Sequence, residues 1–244
     1  MTTAVIIPAR FESTRFPGKP LAKIAGKPML EWIVSIAKGA KKADKVIVAT
    51  DDKRIFDYAK EKLNVEVIMT LKEHKCGTDR IAEVVRHQSD IKYVVNLQGD
   101  EPLMPPEYID KVIESLLSGA QMSSLITPIS DENELSNPNI VRAVMDKNNY
   151  ALYFSRSTIP HNRDNKKDIQ CFKHIGVYGY TREAILQFAL LPQSPLELAE
   201  QLEQLRALEN GIKIKLDIVP KSYPAVDRPE DVKIIESVLS KAIV

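Results

Sequence analysis

An apolar run that ends in an acidic turn is the clearest sign of chemistry in this chain. Residues 94–97 favour a buried strand, and they run directly into Gln-Gly-Asp-Glu-Pro at 98–102. A carboxylate at the C-terminal end of a parallel strand points into the crevice where α/β sheets bind ligands. Asp100 is therefore placed to hold a hard cation such as Mg²⁺, which prefers oxygen ligands. An aspartate in an ordinary turn would give the same local sequence, and the segment alone supports both interpretations.

A second candidate is the basic loop at 9–20, which follows the first predicted strand. It carries the cations Arg10, Arg15 and Lys19 and the hydroxyls of Ser13 and Thr14. Arginine offers a planar fork to phosphate oxygens, lysine a mobile point charge, and backbone N–H groups near Ser13 can complete a cradle. The spacing fits neither a Walker loop nor a Gly-x-Gly-x-x-Gly turn. The loop indicates phosphate binding, although a solvated basic loop would have the same composition.

Other polar positions support two interpretations each. Residues 49–52 end the second predicted strand and residues 76–80 precede a helix, so they are either walls for a base and ribose or helix N-caps. Asp227 stands just ahead of a helix that starts with proline, where it either caps that helix or joins Asp100 as a second cation ligand. His174 begins a strand, in a structural or a functional role.

The elements that must position these residues alternate between strand and helix in the first half of the chain. Apolar patterns predict strands at 4–8, 45–50, 65–69 and 94–97 and helices at 29–38, about 55–63 and 78–87. This order predicts a mostly parallel sheet with helices on both faces. Because crossovers are right-handed, we expect one sheet edge to gather the loops at 9–20, 50–52, 74–80 and 98–102.

The second half has a different texture, with polar turns rich in Asn and Pro. It predicts strands at 140–145, 150–154, 175–180 and 212–219 and helices at 182–188, 195–208 and 229–241, the last with proline in its first turn. Residues 128–175 have the pattern of a lateral subdomain. The helix at 195–208 presents an apolar stripe to a core or to a partner subunit, formed by Leu198, Leu202, Leu205 and Leu208.

The composition excludes several classes of protein. The 244 residues include 34 Lys and Arg against 33 Asp and Glu, so no global field favours nucleic acid or an anionic membrane. The two cysteines, Cys76 and Cys171, form neither a metal-type pair nor a disulfide framework. No apolar run reaches the length of a membrane span, and the N-terminus has no secretory pattern. We expect a cytoplasmic protein that binds no nucleic acid and no membrane.

Several blocks of sequence resemble the cytidylyltransferases that form nucleotide sugars. The first blocks lie at 6–10, 13–15, 17–21 and 77–80. Further blocks resemble the 3-deoxy-manno-octulosonate (Kdo) cytidylyltransferase family, in the right order between about residues 4 and 240, and they lie at 96–102, 137–139, 150–156, 173–178 and 202–206. The blocks at 150–156 and 202–206 are more specific than the basic loop, which several sugar nucleotidyltransferases share.

The resemblance implies a three-layer nucleotide-diphospho-sugar transferase (Rossmann-like) α/β fold, with a mostly parallel central sheet and a lateral dimerisation subdomain. It implies one domain over 1–244, with a nucleotide-binding core at about 1–127 and 205–244 and a sugar-binding and dimerisation part at about 128–204. The implied enzyme is a homodimer that requires Mg²⁺. It would convert CTP and Kdo to CMP-Kdo and pyrophosphate for lipopolysaccharide biosynthesis.

The resemblance also implies roles for individual residues. Asp100 and Asp227 would hold the metal that bridges the α-phosphate and the attacking oxygen, and together with Arg10 and Lys19 they would be the catalytic residues. The CTP site would comprise Pro8, Ala9, Arg10, Ser13, Lys19, Thr50, Gly77, Thr78 and Arg80. The sugar acid would contact Gln98, Arg156, His174, Tyr178, Glu200 and Gln204.

Three positions depart from the family pattern. Cys76 replaces a serine, Leu198 replaces a histidine or another polar residue, and the usual Gly-Val-Asp-Thr-Pro-Glu-Asp reads Ala-Val-Asp-Arg-Pro-Glu-Asp at 225–231. Some relatives that activate 8-amino-3,8-dideoxy-manno-octulosonate also lack that glycine, so this sugar or another sugar acid is an alternative substrate. A sialic-acid enzyme is disfavoured by the block at 150–156, and a glycosyltransferase by the basic loop. A non-catalytic nucleotide-binding module is the remaining alternative.

Overall fold

The structure of the protein is a computed structural model, which describes residues 2–13, 15–74, 76–164, 166 and 169–242. Thr14 of the basic loop lies outside the described residues, as does Lys75. In chain order the strands are β1 (Thr2–Ala9), β2 (Lys23–Ile24), β3 (Lys27–Pro28), β4 (Lys45–Thr50), β5 (Glu66–Met69), β6 (Ile91–Asn96), β7 (Met122–Pro128), β8 (Arg142–Met145), β9 (Ala151–Ser155), β10 (Phe172–Thr181) and β11 (Ile214–Ile218).

The central sheet has the order β11-β7-β10-β6-β1-β4-β5. The strands β6, β1, β4 and β5 are parallel to one another, whereas β10 runs antiparallel to both β6 and β7. At the far edge, β11 is parallel to β7. The predicted mostly parallel sheet is therefore confirmed, with β10 as its antiparallel member. The pair β8–β9 extends the sheet sideways from the start of β10, within the predicted lateral part.

Helices cover both faces of this sheet. They are α1 (Met29–Gly39), α2 (Lys53–Glu61), α3 (Gly77–His87), α4 (Pro106–Leu117), α5 (Glu132–Ser136), α6 (Arg182–Phe188), α7 (Pro195–Glu200), α8 (Gln204–Glu209) and α9 (Asp231–Ala242). Alternate residues of β1 enter opposite cores: Val5 and Ile7 pack with α1 and α4, and Ile6 packs with α3 and α6. Burial on both faces explains why β1 is apolar along its length, and it gives the predicted three layers.

Several elements lie where the sequence patterns predict none, namely β2, β3, α4, α5 and β7. Residues 103–128 hold α4 and β7, and β7 runs through the middle of the sheet with every residue from Met122 to Thr127 buried. The second and third residues of β7, Ser123 and Ser124, are polar and buried, and they face opposite sides of the sheet. Their hydroxyls are satisfied by backbone carbonyls, which allows a buried strand without an apolar sequence pattern.

The prediction of one helix over 195–208 is wrong. Gln201 adopts left-handed backbone angles (φ 54°, ψ 47°), so the segment folds as α7 and α8 with a sharp turn between them. The predicted stripe is divided by this turn: Leu202 and Leu205 are buried, whereas the side chain of Leu198 is 51% exposed. A single apolar period across both helices therefore does not exist.

The last helix also begins later than predicted, at Asp231 instead of Pro229. The Asp231 carboxylate accepts hydrogen bonds from the backbone N–H groups of Asp227 and Arg228, each at 2.8 Å. Asp231 therefore orders the turn in front of α9, and the interpretation of Asp227 as the cap of this helix is wrong. The Asp227 carboxylate remains available for other contacts.

Candidate active site

A polar cleft of about 820 Å³ opens at the carboxyl end of β1 and β6. Its walls come from the loop after β1, the start of α3, the turn after β6, and the sequence around β10 and α8. The predicted site residues that line it are Pro8, Ala9, Arg10, Ser13, Lys19, Gly77, Thr78, Gln98, Arg156, His174, Tyr178 and Gln204. The predicted convergence is thus observed for the loops at 9–20, 74–80 and 98–102, whereas residues 50–52 do not line the cleft.

The loop after β1 is closed by a glycine in left-handed conformation. Gly18 has φ 73°, and its N–H donates to the Phe11 carbonyl at 2.8 Å. A Cβ on Gly18 would stand 3.1 Å from the Phe11 ring, so both the backbone angle and the space favour glycine. The turn places Lys19 beside the acidic edge of the cleft, which is formed by Asp100 and Asp227.

Lys19 joins the two acidic segments on this edge. Its Nζ lies 3.6 Å from Oδ2 of Asp100 and donates to the carbonyl of Val226 at 2.8 Å. The N–H of Val226 in turn donates to the Asp100 carbonyl at 2.8 Å. Residues remote in sequence are therefore held together at the end of β6, next to Asp227.

The carboxylates of Asp100 and Asp227 influence each other electrostatically. Burial raises the pKa of Asp100, the charge of Lys19 opposes that shift, and the charge of Asp227 adds to it. Asp227 is also paired with a loop cation, because its Oδ2 lies 3.3 Å from Nη1 of Arg15. Two neighbouring carboxylates that each need a positive partner are the electrostatic setting in which a divalent cation binds.

The donor set of this edge fits Mg²⁺ in chemistry and in number. Among the described residues no group of three or more His, Cys, Asp or Glu side chains could hold a metal. Mg²⁺ is usually held by one or two carboxylates and takes its remaining ligands from water and substrate phosphates. Asp100 and Asp227 match that pattern, whereas zinc and copper sites are usually built with nitrogen or sulfur ligands.

Five predicted site residues are not among those that line the cleft. Asp100 and Asp227 lie beside it, paired with the lining residues Lys19 and Arg15, and the other three have partners of their own. Thr50 is fully buried at the end of β4, and its carbonyl accepts from the N–H of Thr70 at 2.9 Å. Arg80 is also fully buried and pairs with Asp51 at 2.7 Å. Glu200 accepts from the N–H of Arg156 at 2.9 Å. Their direct contact with a ligand stays a prediction, and of the three only Glu200 is bonded to a residue that lines the cleft, Arg156.

Arg156 is oriented by a buried arginine that the pattern analysis did not single out. Arg142 on β8 donates to the carbonyl of Arg156 at 2.6 Å and to three other carbonyls, those of Glu134, Leu135 and Ile140. Arg156 itself donates through Nε to the carbonyl of Glu200 at 2.9 Å. A charged residue inside the apolar run at 140–145 was the available signal for Arg142.

An enclosed ion pair supports the wall formed by the α7–α8 turn. The carboxylate of Glu197 accepts from Nε of Arg206 at 2.8 Å and from its Nη2 at 2.5 Å, and both side chains are more than 90% buried. Glu197 also closes a capping box with Ser194 at the start of α7. The guanidinium of Arg206 stacks 4.8 Å from the centre of the Phe188 ring. This pair ties α7 to α8, the helix that begins with Gln204.

The start of α3 explains why cysteine is acceptable where the family pattern has serine. The Sγ of Cys76 accepts a hydrogen bond from the N–H of Asp79 at 3.4 Å and so caps the helix. Burial raises the pKa of this thiol, so it stays protonated near pH 7. The next residue is Gly77, which packs closely against β1. A Cβ at this position would stand 3.1 Å from the Pro8 ring, so the space favours glycine.

The far end of the cleft is lined by aromatic rings. The ring of His174 lies between those of Phe154 and Tyr178, with centroid distances of 5.1 and 5.2 Å. Its Nε2 is 2.8 Å from Oγ of Ser124. Burial lowers the pKa of His174 to about 3 and raises that of Tyr178, so both rings are neutral near pH 7. The cleft thus has a charged end at Lys19 and a neutral aromatic end at His174.

Comparison with known proteins gives a consistent result. The cytidylyltransferase family model matches residues 4–214. The 3-deoxy-manno-octulosonate cytidylyltransferase of Thermodesulfovibrio yellowstonii is 45% identical over 98% of this chain and 99% of its own. The 8-amino-3,8-dideoxy-manno-octulosonate cytidylyltransferase of Shewanella pealeana is 46% identical, with the same coverage of both chains. Among the described residues, the structure contains no helix long and apolar enough to span a membrane.

A solved structure agrees with these sequence matches. The structure of CMP:2-keto-3-deoxy-manno-octonic acid synthetase complexed with CTP has a TM-score of 0.94 and 35% identity, covering 99% of this chain and all of that one. A 4-diphosphocytidyl-2C-methyl-D-erythritol synthase from Anaerococcus prevotii, 15% identical with a TM-score of 0.65, shares the fold. Fold and cleft together define a nucleotide-binding α/β protein. The chain belongs to the 3-deoxy-manno-octulosonate cytidylyltransferase family.

Proposed function

We propose that this protein transfers the cytidylyl group of CTP to the anomeric hydroxyl of Kdo, giving CMP-Kdo and pyrophosphate for lipopolysaccharide biosynthesis. The observation that carries the proposal is a full-length match to Kdo cytidylyltransferases, combined with a cleft that has a cationic end and a neutral aromatic end. The cationic end suits a triphosphate and the aromatic end suits a sugar. Because the reaction consumes CTP, we place it in the cytoplasm.

The cations at the end of β1 would position the triphosphate. Burial lowers the pKa of Arg10, and the nearby charge of Arg80 adds to that effect, although a guanidinium stays protonated. Such a cation gains more from a polyanion than a solvated one does. Arg10, Lys19 and Ser13 would hold the triphosphate and stabilise the departing pyrophosphate as negative charge grows on it. Pro8, Ala9, Gly77 and Thr78 would enclose the cytidine.

We propose Mg²⁺ as the cofactor, held by the carboxylates of Asp100 and Asp227. When bound, it would supply positive charge to the α-phosphate and the attacking hydroxyl. The present partners of these carboxylates, Lys19 and Arg15, are also the cations nearest the expected phosphates. A triphosphate would draw both cations to itself, so we expect nucleotide and metal to favour each other's binding.

The aromatic end would hold the sugar acid. Arg156 also lines the cleft, and its guanidinium is the natural partner of the sugar carboxylate. Gln98, His174, Tyr178 and Gln204 line the same region and offer neutral hydrogen-bonding groups for hydroxyls. Glu200 would act through Arg156, which it holds in place. The position of the sugar hydroxyl near the α-phosphate would supply much of the rate, because orientation removes an entropic barrier.

Pyrophosphate release is the direct test of this proposal. With CTP and Mg²⁺ present, we expect release with Kdo, and a higher kcat/KM for Kdo than for its 8-amino analogue. Preference for the analogue would retain the chemistry and change the substrate, a result that the similarity to the Shewanella enzyme makes worth measuring. Binding of CTP without release from either sugar would contradict the proposed function and favour a non-catalytic module.

The departures beside Asp227 provide a matched variant for the choice of sugar. A225G/R228T restores the family pattern on both sides of the proposed ligand without touching it. If this turn sets the preference, the ratio of kcat/KM between the two sugars changes in the double variant. An unchanged ratio would place the selection at the aromatic end instead.

We also propose a homodimer, as the family resemblance implies. Several leucines stand exposed on the side of the lateral pair β8–β9 and of α7, namely Leu152, Leu196 and Leu198. Exposed apolar side chains of this kind are typical of a protein interface. Sedimentation at micromolar concentration should give twice the 27.4 kDa of one chain, and a stable monomer would contradict the proposal.

A further inference from the structure

The neutral ring of His174 is held by a hydroxyl that has no assigned role. Ser124 lies on β7, fully buried, and its Oγ is 2.8 Å from Nε2 of His174. The same Oγ lies 2.8 Å from the carbonyl oxygen of Val177 and 3.2 Å from that of Ile175. Three neighbours therefore share one hydroxyl, which has a single proton to give.

An irregularity in the sheet creates this arrangement. Along β10, Ile175 pairs with Leu125 and Tyr178 pairs with Ser124, so the two residues between them, Gly176 and Val177, have no opposite residue on β7. An insertion of this kind interrupts the ladder of backbone hydrogen bonds and re-aims the side chains beside it. At this irregularity the carbonyl oxygens of Ile175 and Val177 both come within hydrogen-bond distance of the Ser124 hydroxyl.

The direction of these hydrogen bonds determines the tautomer of the histidine. A carbonyl oxygen can only accept, so the Ser124 proton is directed to the Val177 carbonyl, the closer of the two. The Ser124 oxygen then has lone pairs left for the ring, and Nε2 of His174 must be the nitrogen that carries the proton. The opposite assignment would leave the Val177 carbonyl without this donor in a buried site, at a cost in free energy.

The other ring nitrogen is then an acceptor. His174 lines the cleft, and its Nδ1 is not among the enclosed polar atoms that lack a partner, so this nitrogen has access to solvent. The imidazole packs against the rings of Phe154 and Tyr178, at centroid distances of 5.1 and 5.2 Å. Burial also keeps the ring neutral, which preserves the lone pair on Nδ1.

We propose that Ser124 is a positioning residue that fixes His174 as the Nε2–H tautomer, so that Nδ1 accepts a hydrogen bond from a hydroxyl or amino group of the sugar. The inference rests on the proposed function for the identity of the ligand. It separates the roles at the aromatic end, because a lone pair repels a carboxylate. The sugar carboxylate is accordingly left to Arg156, and a donor group of the sugar meets His174.

The tautomer can be read directly in the free protein. We would label the imidazole nitrogens with ¹⁵N and correlate them with the ring protons, assigning His174 by the loss of its signals in His174→Gln. The expected result near pH 7 is a neutral ring with the proton on Nε2. A ring protonated on Nδ1, or an imidazolium, would overturn the proposal without any reference to activity.

Two neighbouring serines allow a matched comparison of function. Ser124→Ala should leave His174 as a mixture of tautomers and raise the KM for the sugar acid about tenfold, the effect of one hydrogen bond, with the KM for CTP unchanged. Ser123→Ala is the control, because the Ser123 hydroxyl is equally buried and donates to the Val112 carbonyl at 2.9 Å. It should change neither the tautomer nor the KM.

Ser124→Thr retains the hydroxyl, so its imidazole spectrum and its KM for the sugar acid should match those of the wild type. An unchanged tautomer in Ser124→Ala, or the same change in Ser123→Ala, would overturn the positioning role. If Ser124→Ala does not fold, the wild-type spectrum still decides the tautomer, and Ser124→Thr decides whether a hydroxyl suffices. Failure of the proposed function is distinguishable, because the wild type would then release no pyrophosphate whatever its tautomer.

Discussion

Asp100→Asn is expected to abolish Mg²⁺-dependent release of pyrophosphate, by about 10³-fold or more, while the protein stays folded. Asparagine keeps the size of the side chain and removes the charge that faces Lys19 and Asp227. Without that charge the edge offers a divalent cation a single carboxylate. Activity is measured with CTP and Kdo over a range of Mg²⁺ concentrations, and folding by circular dichroism and Tm.

The control for this variant lies at the other end of the same strand. Asp90 precedes β6 and pairs with Lys45 at 2.8 Å, whereas Asp100 follows β6 and pairs with Lys19. Asp90→Asn removes the same charge from a lysine pair remote from the cleft and should leave turnover unchanged. Asp227→Asn should behave like Asp100→Asn. Retained Mg²⁺-dependent turnover in either of the two would refute the metal assignment.

Glu197→Gln is expected to lower the free energy of unfolding by about 3–5 kcal/mol, because it leaves the guanidinium of Arg206 buried without a charged partner. Both side chains are more than 90% buried, so solvent screens the pair very little. The double variant E197L/R206M removes both charges together and should recover most of the loss. Urea denaturation of the three proteins gives the comparison.

The pH dependence provides a second readout for the same pair. Burial opposes ionisation of Glu197, but the hydrogen bonds from Arg206 and the N–H of Ser194 outweigh it and lower the pKa of the carboxyl. A lowered pKa stabilises the fold above the unfolded value of about 4.3, and that contribution disappears as the pH falls through the folded value. The difference between wild type and Glu197→Gln should therefore narrow below about pH 4.

Glu209→Gln is the surface control for this prediction. Glu209 is exposed at the end of α8 and accepts from the N–H of Leu196 at 3.2 Å, so it joins the same two helices without being enclosed. Its substitution should change the unfolding free energy by less than about 0.5 kcal/mol. Equal losses in both variants would mean that the contact between helices, and not the buried charge, stabilises this turn.

Local sequence patterns predicted the bounds of an element correctly where one pattern of burial runs along the whole element. The predicted strand at 45–50 and the predicted helix at 182–188 coincide with β4 and α6, since each presents one unbroken apolar pattern. The gathering of loops at one edge could also be predicted, because it depends on handedness and strand order alone. Apolar patterns and connection rules together predicted that the site residues would lie near one another, and most of them line one cleft.

What the patterns missed depends on pairings between distant side chains. The turn at Gln201 is compatible with the leucine period, and nothing local signals that Glu197 and Arg206 will meet. The placement of Arg80 behind the wall depends on Asp51, a residue of another strand end. Ser124 carries no motif, and its significance arises from an irregularity in β10 across the sheet. Such contacts are properties of the folded chain and not of a sequence window.

The bond from Lys19 to the Val226 carbonyl spans 207 residues of chain, and it has a consequence for how the protein is made. A ribosome adds roughly 5–20 residues per second, so Lys19 is synthesised on the order of ten seconds or more before its partner exists. During that time β1, β4 and β6 can already pair. The segment around Val226, which contacts Lys19 and Asp100 in the folded protein, has not yet been synthesised. We therefore expect that a nascent or truncated chain can build much of the sheet without acting on a nucleotide, which would confine turnover to finished molecules.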